Sequence, residues 1–235
     1  MTELAQRLKD KYFAEDHPYR PFENRVQSLL RPEHTLLDAG CGRGAPVLAQ
    51  YVGKARRLVG VDLVDFERPI PGVELLHGDI GSLPLEAESV DIVMARSVME
   101  HVTDPAAVYT EVHRVLKRGG HFIFLTANLW DYASLIARAI PNRFHPWIVS
   151  RTEGRAEADV FPIAYRTNTR SAVVRWSKHA DFEVVSFAYL GQYPAYFMFN
   201  GFLFLLATGY EKFIRALPVL NFLQGWIFVT LRKPG

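Results

Sequence analysis

Cysteine is almost missing from this chain: Cys41 stands alone among 235 residues. That excludes a disulfide framework and a multi-cysteine metal site, and it suits a reducing, cytoplasmic setting. An excess of one charge is missing too. Lys and Arg number 27 against 25 Asp and Glu, a formal net charge of +2, too small for a nucleic-acid partner held by wholesale phosphate neutralisation. The opening MTELAQRLKDKYFAEDHPYR has no apolar core of the kind an export signal needs, so export is not expected. The phosphate-loop pattern G-x-x-x-x-G-K-[ST] does not occur. No His, Asp or Glu group has metal-ligand spacing, and no metal is expected. The charge that is present is uneven: residues 1–127 hold 15 basic and 18 acidic side chains, residues 128–235 hold 12 and 7. The basic second half suits an anionic surface or substrate.

What is present is a repeating alternation. Hydrophobic residues make up 49% and charged residues 22%, a globular composition, and the length fits one α/β domain over 1–235. From Thr35 short Val-, Ile- and Leu-rich runs alternate with turns and helical stretches. TLLDAG is a first strand, with a helix beginning over Pro46–Tyr51. RLVGVD (57–62), VELLHGD (73–79), SVDIVMARS (89–97) and HFIFLTAN (121–128) are the next four strands. Asp104 is placed to cap a helix that Gly119 and Gly120 stop. Such runs separated by crossovers indicate a doubly wound, mostly parallel sheet covered on both faces. Ligands of these sheets bind outside the carboxyl ends of the strands.

Three features fall at those ends. LLDAGCGRG (36–44) sets Gly40, Gly42 and Gly44 directly after strand one, so the backbone can pass close to a ligand or simply turn tightly. Asp62 ends strand two, where a carboxylate accepts from ribose hydroxyls. Asp79 ends strand three and precedes Ile80, a pair suited to an adenine's amino group and ring face. The spacing D-x-G-x-G-x-G differs from the dinucleotide pattern, and Asp38 beside the turn would repel a pyrophosphate. It suits an ammonium group. S-adenosylmethionine combines an amino-acid tail, a ribose and an adenine.

LLDAGCGRG, LVGVDL, GDIGSLPLEAESVDIVMARSVMEHV and LKRGGHFIFLTAN, in that order, resemble the class I S-adenosylmethionine-dependent methyltransferases of the small-molecule and quinone subgroup. The resemblance covers roughly Leu36 to Ala127. It implies a Rossmann-like seven-stranded sheet with an antiparallel last strand, S-adenosylmethionine as methyl donor and S-adenosylhomocysteine as product. It implies that Asp38, Gly40 and Gly42 shape the methionine pocket, Asp62 with Leu63 the ribose side, and Asp79 with Ile80 the adenine side. Arg96 and Ser97 then line the sulfonium side. LVDFERPIPG leaves little room for the usual helix between strands two and three.

Other candidates have two readings each. His101, in MEHV after strand four, suits a general base or a capping histidine; His145 is a second candidate base. Arg20 in the N-terminal arm (1–34) suits the cofactor carboxylate or plain solvent, and Tyr12 and Tyr19 lie in the same arm. After the cofactor-binding core (35–127), residues 128–166 form an insertion too long for an ordinary loop. Its Trp130, Tyr132, Phe144, Trp147 and Tyr165 are candidate substrate walls or the insertion's own core. Residues 167–235 hold the last helix and strands six and seven, which a second insertion (191–225) separates. Tyr189 to Tyr210 carries no charge, but strand seven must return to the same sheet, so a membrane span is rejected. The expectation is an apolar hairpin that lies on a membrane, covers a substrate or joins a second subunit, with Lys212 and Arg215 placed for lipid phosphates. The expected function is methyl transfer to a hydrophobic small-molecule or lipid-like acceptor, at oxygen. The alternatives are an N- or C-methyltransferase of a polar metabolite and a non-catalytic, membrane-docked partner.

Overall fold

The computed structural model describes residues 1–13, 17–139 and 162–235. Its strands are β1 (Thr35–Ala39), β2 (Arg57–Asp62), β3 (Glu74–His77), β4 (Val90–Arg96), β5 (Leu116–Ala127), β6 (Glu183–Leu190) and β7 (Trp226–Arg232). They form one sheet in the order β3-β2-β1-β4-β5-β7-β6. The pairs from β3 to β5 are parallel. β7 runs against β5: Gly119 N–H donates to the Lys233 carbonyl at one end and Asn128 N–H to the Gly225 carbonyl at the other. The doubly wound, Rossmann-like sheet with its reversed end follows from the strands themselves. Leu36, Leu37, Val59, Val61, Val93, Met94, Phe124 and Leu125 are all buried, as continuous apolar strands covered on both faces must be.

The helices are α1 (Glu3–Phe13), α2 (Tyr19–Leu29), α3 (Pro105–Val115), α4 (Tyr132–Ala139), α5 (Arg170–His179) and α6 (Gly201–Ala216). Two caps sit where sequence places them. Asp104 accepts from Ala107 N–H ahead of α3, and Thr169 from Ala172 N–H ahead of α5. Each satisfies a backbone donor that the first helical turn leaves without a partner.

Three expectations are corrected. The helix after β1 is only a 3-10 turn, Leu48–Tyr51, because Gly53 takes a left-handed φ of +78° before a helix can lengthen enough to hold itself. β5 begins at Leu116 rather than His121. Gly119 and Gly120 do not end a helix but belong to the strand, where β7 recruits them: Lys233 N–H donates to the Gly120 carbonyl. The β4–β5 ladder skips from Val90↔Leu116 to Ile92↔His121, a bulge that Gly119, at φ +76°, makes sterically accessible. The 191–225 insertion is not a hairpin: α6 lies between 3-10 turns at Ala195–Phe197 and Pro218–Leu223. The stretch between β2 and β3 has no helix, as its length and prolines suggest.

The chain divides into two compact units. A sheet unit comprises Phe22–Thr126, Ala164–Ala188 and Phe228–Gly235. In it Tyr109 of α3 meets Phe122, Phe124 and Phe182 edge-on at 6.0–6.5 Å between ring centres, and α3 packs on α5. A helical unit comprises Met1–Pro21, Ala127–Ile163 and Tyr189–Ile227. There α1 packs on α6, brought close because a Cβ on Gly201 would stand 2.9 Å from Leu4. Asn200 caps α6 by accepting from Phe202 and Leu203 N–H.

Candidate cofactor and catalytic site

The carboxyl ends of β1, β2 and β4 bring the sequence-predicted residues together within the sheet unit. The glycines of 40–44 divide into two kinds. Gly40 (φ +84°) donates to the Val61 carbonyl at 2.8 Å, and a Cβ there would overlap the Val98 side chain. Its role in the fold is close packing of the turn against the segment after β4. Gly42 (φ +73°) and Gly44 are different: a Cβ on either would have nothing within 4 Å. The open side of the turn is at 42–44.

Asp62 holds that turn in place. One carboxylate oxygen accepts from Gly42 N–H at 2.7 Å and the other from Val64 N–H at 3.2 Å. A carboxylate has about four acceptor positions, so two remain for hydroxyls. Leu63 beside it is 54% exposed. Asp79 lies two residues past β3 and is exposed, with Oδ1 accepting from Gly81 N–H at 2.7 Å. That bond shapes the turn carrying Ile80.

Asp38 is the electrostatic centre. It is 2% exposed, and its Oδ2 has no hydrogen-bond partner among the described residues. Burial pushes its pKa up to about 7; Arg96 opposes the rise and Asp62 adds to it. Arg96, at the end of β4, donates to Glu23 of α2 at 3.0 Å with both side chains mostly buried. Ser97 follows at φ +58°, a left-handed conformation uncommon outside glycine, and its buried hydroxyl has no hydrogen-bond partner among the described residues. An unpartnered buried carboxylate oxygen, an unpartnered buried hydroxyl and two open glycines fit a ligand with an ammonium group and several polar atoms. S-adenosylmethionine meets that requirement. Cys41 packs its sulfur where a Cβ on Gly60 would fall, and burial raises its pKa, so it is an inert spacer.

His101 closes the 3-10 turn Met99–His101 immediately after β4. Its neighbour Glu100, which no sequence motif singles out, organises this corner. The Glu100 carboxylate accepts from Thr126 Oγ1 at 2.7 Å, and Asn168 Nδ2 donates to the same Thr126 oxygen at 2.8 Å. The Glu100 carbonyl accepts from Ala164 and Tyr165 N–H, and Thr167 Oγ1 donates to the Met99 carbonyl. This buried network ties residues 164–168 to the end of β4, and so brings Tyr165 (φ +51°) beside the turn of His101. The Glu23–Arg96 pair has no sequence signal, since nothing local joins positions 73 apart.

The remaining candidates lie in the helical unit. Tyr132 stacks on Phe197 (6.0 Å, 18°) and meets Tyr210 edge-on at 5.5 Å. Desolvation, then the nearby Asp131 and Glu211, push its pKa up. Asp131 is buried with its carboxyl raised to about 6, opposed by the backbone N–H groups of 132–134. Trp130 is 47% exposed. Tyr12 lies under Lys212, whose Nζ is 3.6 Å from the ring centre. Tyr19 sits between His17 and Trp226, and Arg20 is exposed with its N–H donated to the His17 carbonyl. Phe144, His145 and Trp147 lie outside the described residues. Among the described residues, no three His, Cys, Asp or Glu side chains gather as a metal site.

Comparison with known proteins bears on this geometry. Residues 37–124 match the family model described as a methyltransferase domain. A probable S-adenosylmethionine-dependent methyltransferase of Mycolicibacterium smegmatis is 38% identical over 100 residues, covering 40% of this chain and 38% of that protein. A ubiquinone biosynthesis O-methyltransferase of Hahella chejuensis is 30% identical over 138 residues, covering 49% and 56%. Among solved structures, geranyl diphosphate C-methyltransferase from Streptomyces coelicolor superposes with a TM-score of 0.58 at 18% identity, covering 91% of this chain and 76% of that one. The matched stretch spans 30% to 56% of the length of the curated relatives.

Proposed function

Taking residues 37–124 as a methyltransferase domain of the class I, S-adenosylmethionine-dependent type, we propose that this protein transfers a methyl group to a hydrophobic small-molecule or lipid-like acceptor, at oxygen. The observation that carries the donor half is the open space over Gly42 and Gly44, beside the unpartnered Oδ2 of Asp38. Asp38 would hold the ammonium group, Asp62 the ribose hydroxyls, and Leu63, Asp79 and Ile80 the adenine. When bound, S-adenosylmethionine supplies an electrophilic methyl on a sulfonium. Much of the rate in such a transfer comes from alignment and exclusion of water. His101 would take the proton from an acceptor hydroxyl, and the Glu100 network would fix the turn that presents it. The apolar character of the acceptor rests on the aromatic and aliphatic make-up of the helical unit, with Trp130, Tyr132 and Tyr12 as candidate walls; a peripheral membrane contact through 191–225 would accompany it.

A second reading has a carbon acceptor, since relatives named for a sterol and for geranyl diphosphate are C-methyltransferases. Incubation with methyl-labelled donor and fractionated cell extracts tests both. Label in an organic-soluble product that base-hydrolyses as an ester or resists as an ether supports oxygen; a carbon-bound methyl in an apolar product supports the second reading. Label confined to a water-soluble product contradicts the apolar acceptor, and absence of S-adenosylhomocysteine contradicts catalysis.

A further inference from the structure

Helix α6 carries apolar side chains on opposite faces. Phe204, Thr208, Glu211 and Ile214 form its buried side. At the helical spacings i, i+4 and i+11, Phe202, Leu206 and Phe213 share the opposite side, and they are 65%, 56% and 59% exposed. Gly209 continues the stripe with open space over it. Phe199, 64% exposed ahead of the helix, and Val219, 77% exposed beyond it, extend the apolar surface at both ends. Single exposed hydrophobic residues are ordinary, whereas a contiguous stripe marks a surface that something covers. No helix among the described residues is long and apolar enough to cross a membrane.

Charge indicates what covers it. From Tyr189 to Ile227 the only acidic residue is Glu211, which is buried and lies 3.8 Å from Arg215. The exposed charge of this segment is therefore cationic. Lys212 joins a basic, aromatic group within the helical unit: its Nζ and that of Lys11 lie 3.6 and 5.2 Å from the Tyr12 ring centre, and Lys9 lies 4.4 Å from that of Tyr193. The described carboxylates of α1 are engaged, Glu3 with Arg7 and Asp10 with Gln6. A second copy meeting this face through a two-fold axis would set like charges against like. A layer of phosphate headgroups offers the opposite charge, and tyrosines with lysine neighbours are at home at that boundary.

We propose that the outward face of α6 docks on an anionic phospholipid bilayer, lying in the interface plane with Phe202, Leu206 and Phe213 inserted and Lys9, Lys11 and Lys212 at headgroup level. The docking does not depend on the methyl-transfer reading, and its test needs no turnover.

Flotation of the full chain with phosphatidylcholine vesicles, with and without phosphatidylglycerol, is the experiment. The wild type floats with the anionic vesicles and is released by high salt. The triple change Phe202→Ser, Leu206→Ser and Phe213→Ser lowers vesicle affinity by on the order of a hundredfold or more, and Lys212→Glu lowers it only on anionic vesicles. A melting curve accompanies each variant. If the triple variant fails to fold, Leu206→Cys carries an environment-sensitive dye; Cys41 is buried, so labelling is selective, and quenching by a lipid-borne quencher reports insertion. A wild type that does not float, a folded triple variant that floats equally well, or a dye left unquenched overturns the proposal. So does light scattering in which the triple change turns a dimer into a monomer without any vesicle binding, which assigns the face to a second copy.

Discussion

The sheet unit and the helical unit treat their unusual residues in opposite ways. In the sheet unit strands β1, β2, β4 and β5 bury their large apolar side chains, and what stands out near their ends is polar: Asp38 with a partnerless Oδ2, Ser97 in a left-handed conformation, Asp62 holding the Gly42 N–H. In the helical unit the carboxyl groups of Asp131 and Glu211 are drawn inward, and what stands out is the apolar surface of α6. Strain and unsatisfied polar groups signal a small polar ligand; exposed hydrocarbon signals an apolar partner.

The largest effects should come from residues that the comparison assigns to chemistry or to packing alone. His101→Gln should lower turnover by about 10²–10⁴-fold while leaving donor affinity nearly unchanged, read as kcat against a calorimetric titration. Near-full activity across neutral pH would place His101 in structure. Phe204→Ala should destabilise the fold by about 3–5 kcal/mol, because Phe204 is fully buried, whereas Phe202→Ala should change it by under about 0.5 kcal/mol. Equal losses in urea unfolding would erase the distinction between the two faces of α6.

Of these assignments, the strands and the strand-end acids were legible because each depends on a short run: period and β-branching for the strands, one residue per strand end for Asp38, Asp62 and Asp79. Two kinds of information were not legible. Residues such as Glu23 and Arg96, or Glu100, Thr126 and Asn168, meet only through the fold, so no window of sequence contains the network. The split of function within one motif was also hidden. Gly40 and Gly42 look alike in LLDAGCGRG, and only Val98, arriving from beyond β4, makes the first a packing glycine. The same holds for Phe202 and Phe204, two positions apart in an uncharged run and on different faces of one helix.

Intermediate effects test the polar half. Asp62→Ala should weaken S-adenosylmethionine binding by roughly 1.5–3 kcal/mol for each charge-assisted bond lost, and it should also lower the melting temperature, since Gly42 and Val64 N–H lose their acceptor. Loss of stability with no loss of affinity would confine Asp62 to the turn.

The smallest effect is a matter of pH. The folded-state pKa of Asp38, about 7 against 3.8 for the free side chain, means the fold binds this proton more tightly than the unfolded chain does. The contribution of Asp38 to stability therefore declines as pH rises from about 4 to 7 and is flat above. Asp38→Asn should remove that decline and raise the melting temperature at pH above 7. It should also remove the rise in affinity for an ammonium-bearing ligand that the wild type gains as pH passes through about 7. Parallel pH profiles for wild type and variant would contradict the assignment.

The central claim is that the open side of the turn at Gly42 seats the methyl donor, and one titration tests it most directly. S-adenosylhomocysteine is titrated calorimetrically into the wild type and into Gly42→Val, with a melting curve for each. A valine at φ +73° strains the backbone, by roughly 1–2 kcal/mol, but meets no neighbouring atom with its Cβ. The account predicts that the variant remains folded and loses affinity on the order of a hundredfold or more, because the side chain occupies the ligand's place. A folded Gly42→Val that binds as tightly as the wild type would contradict it.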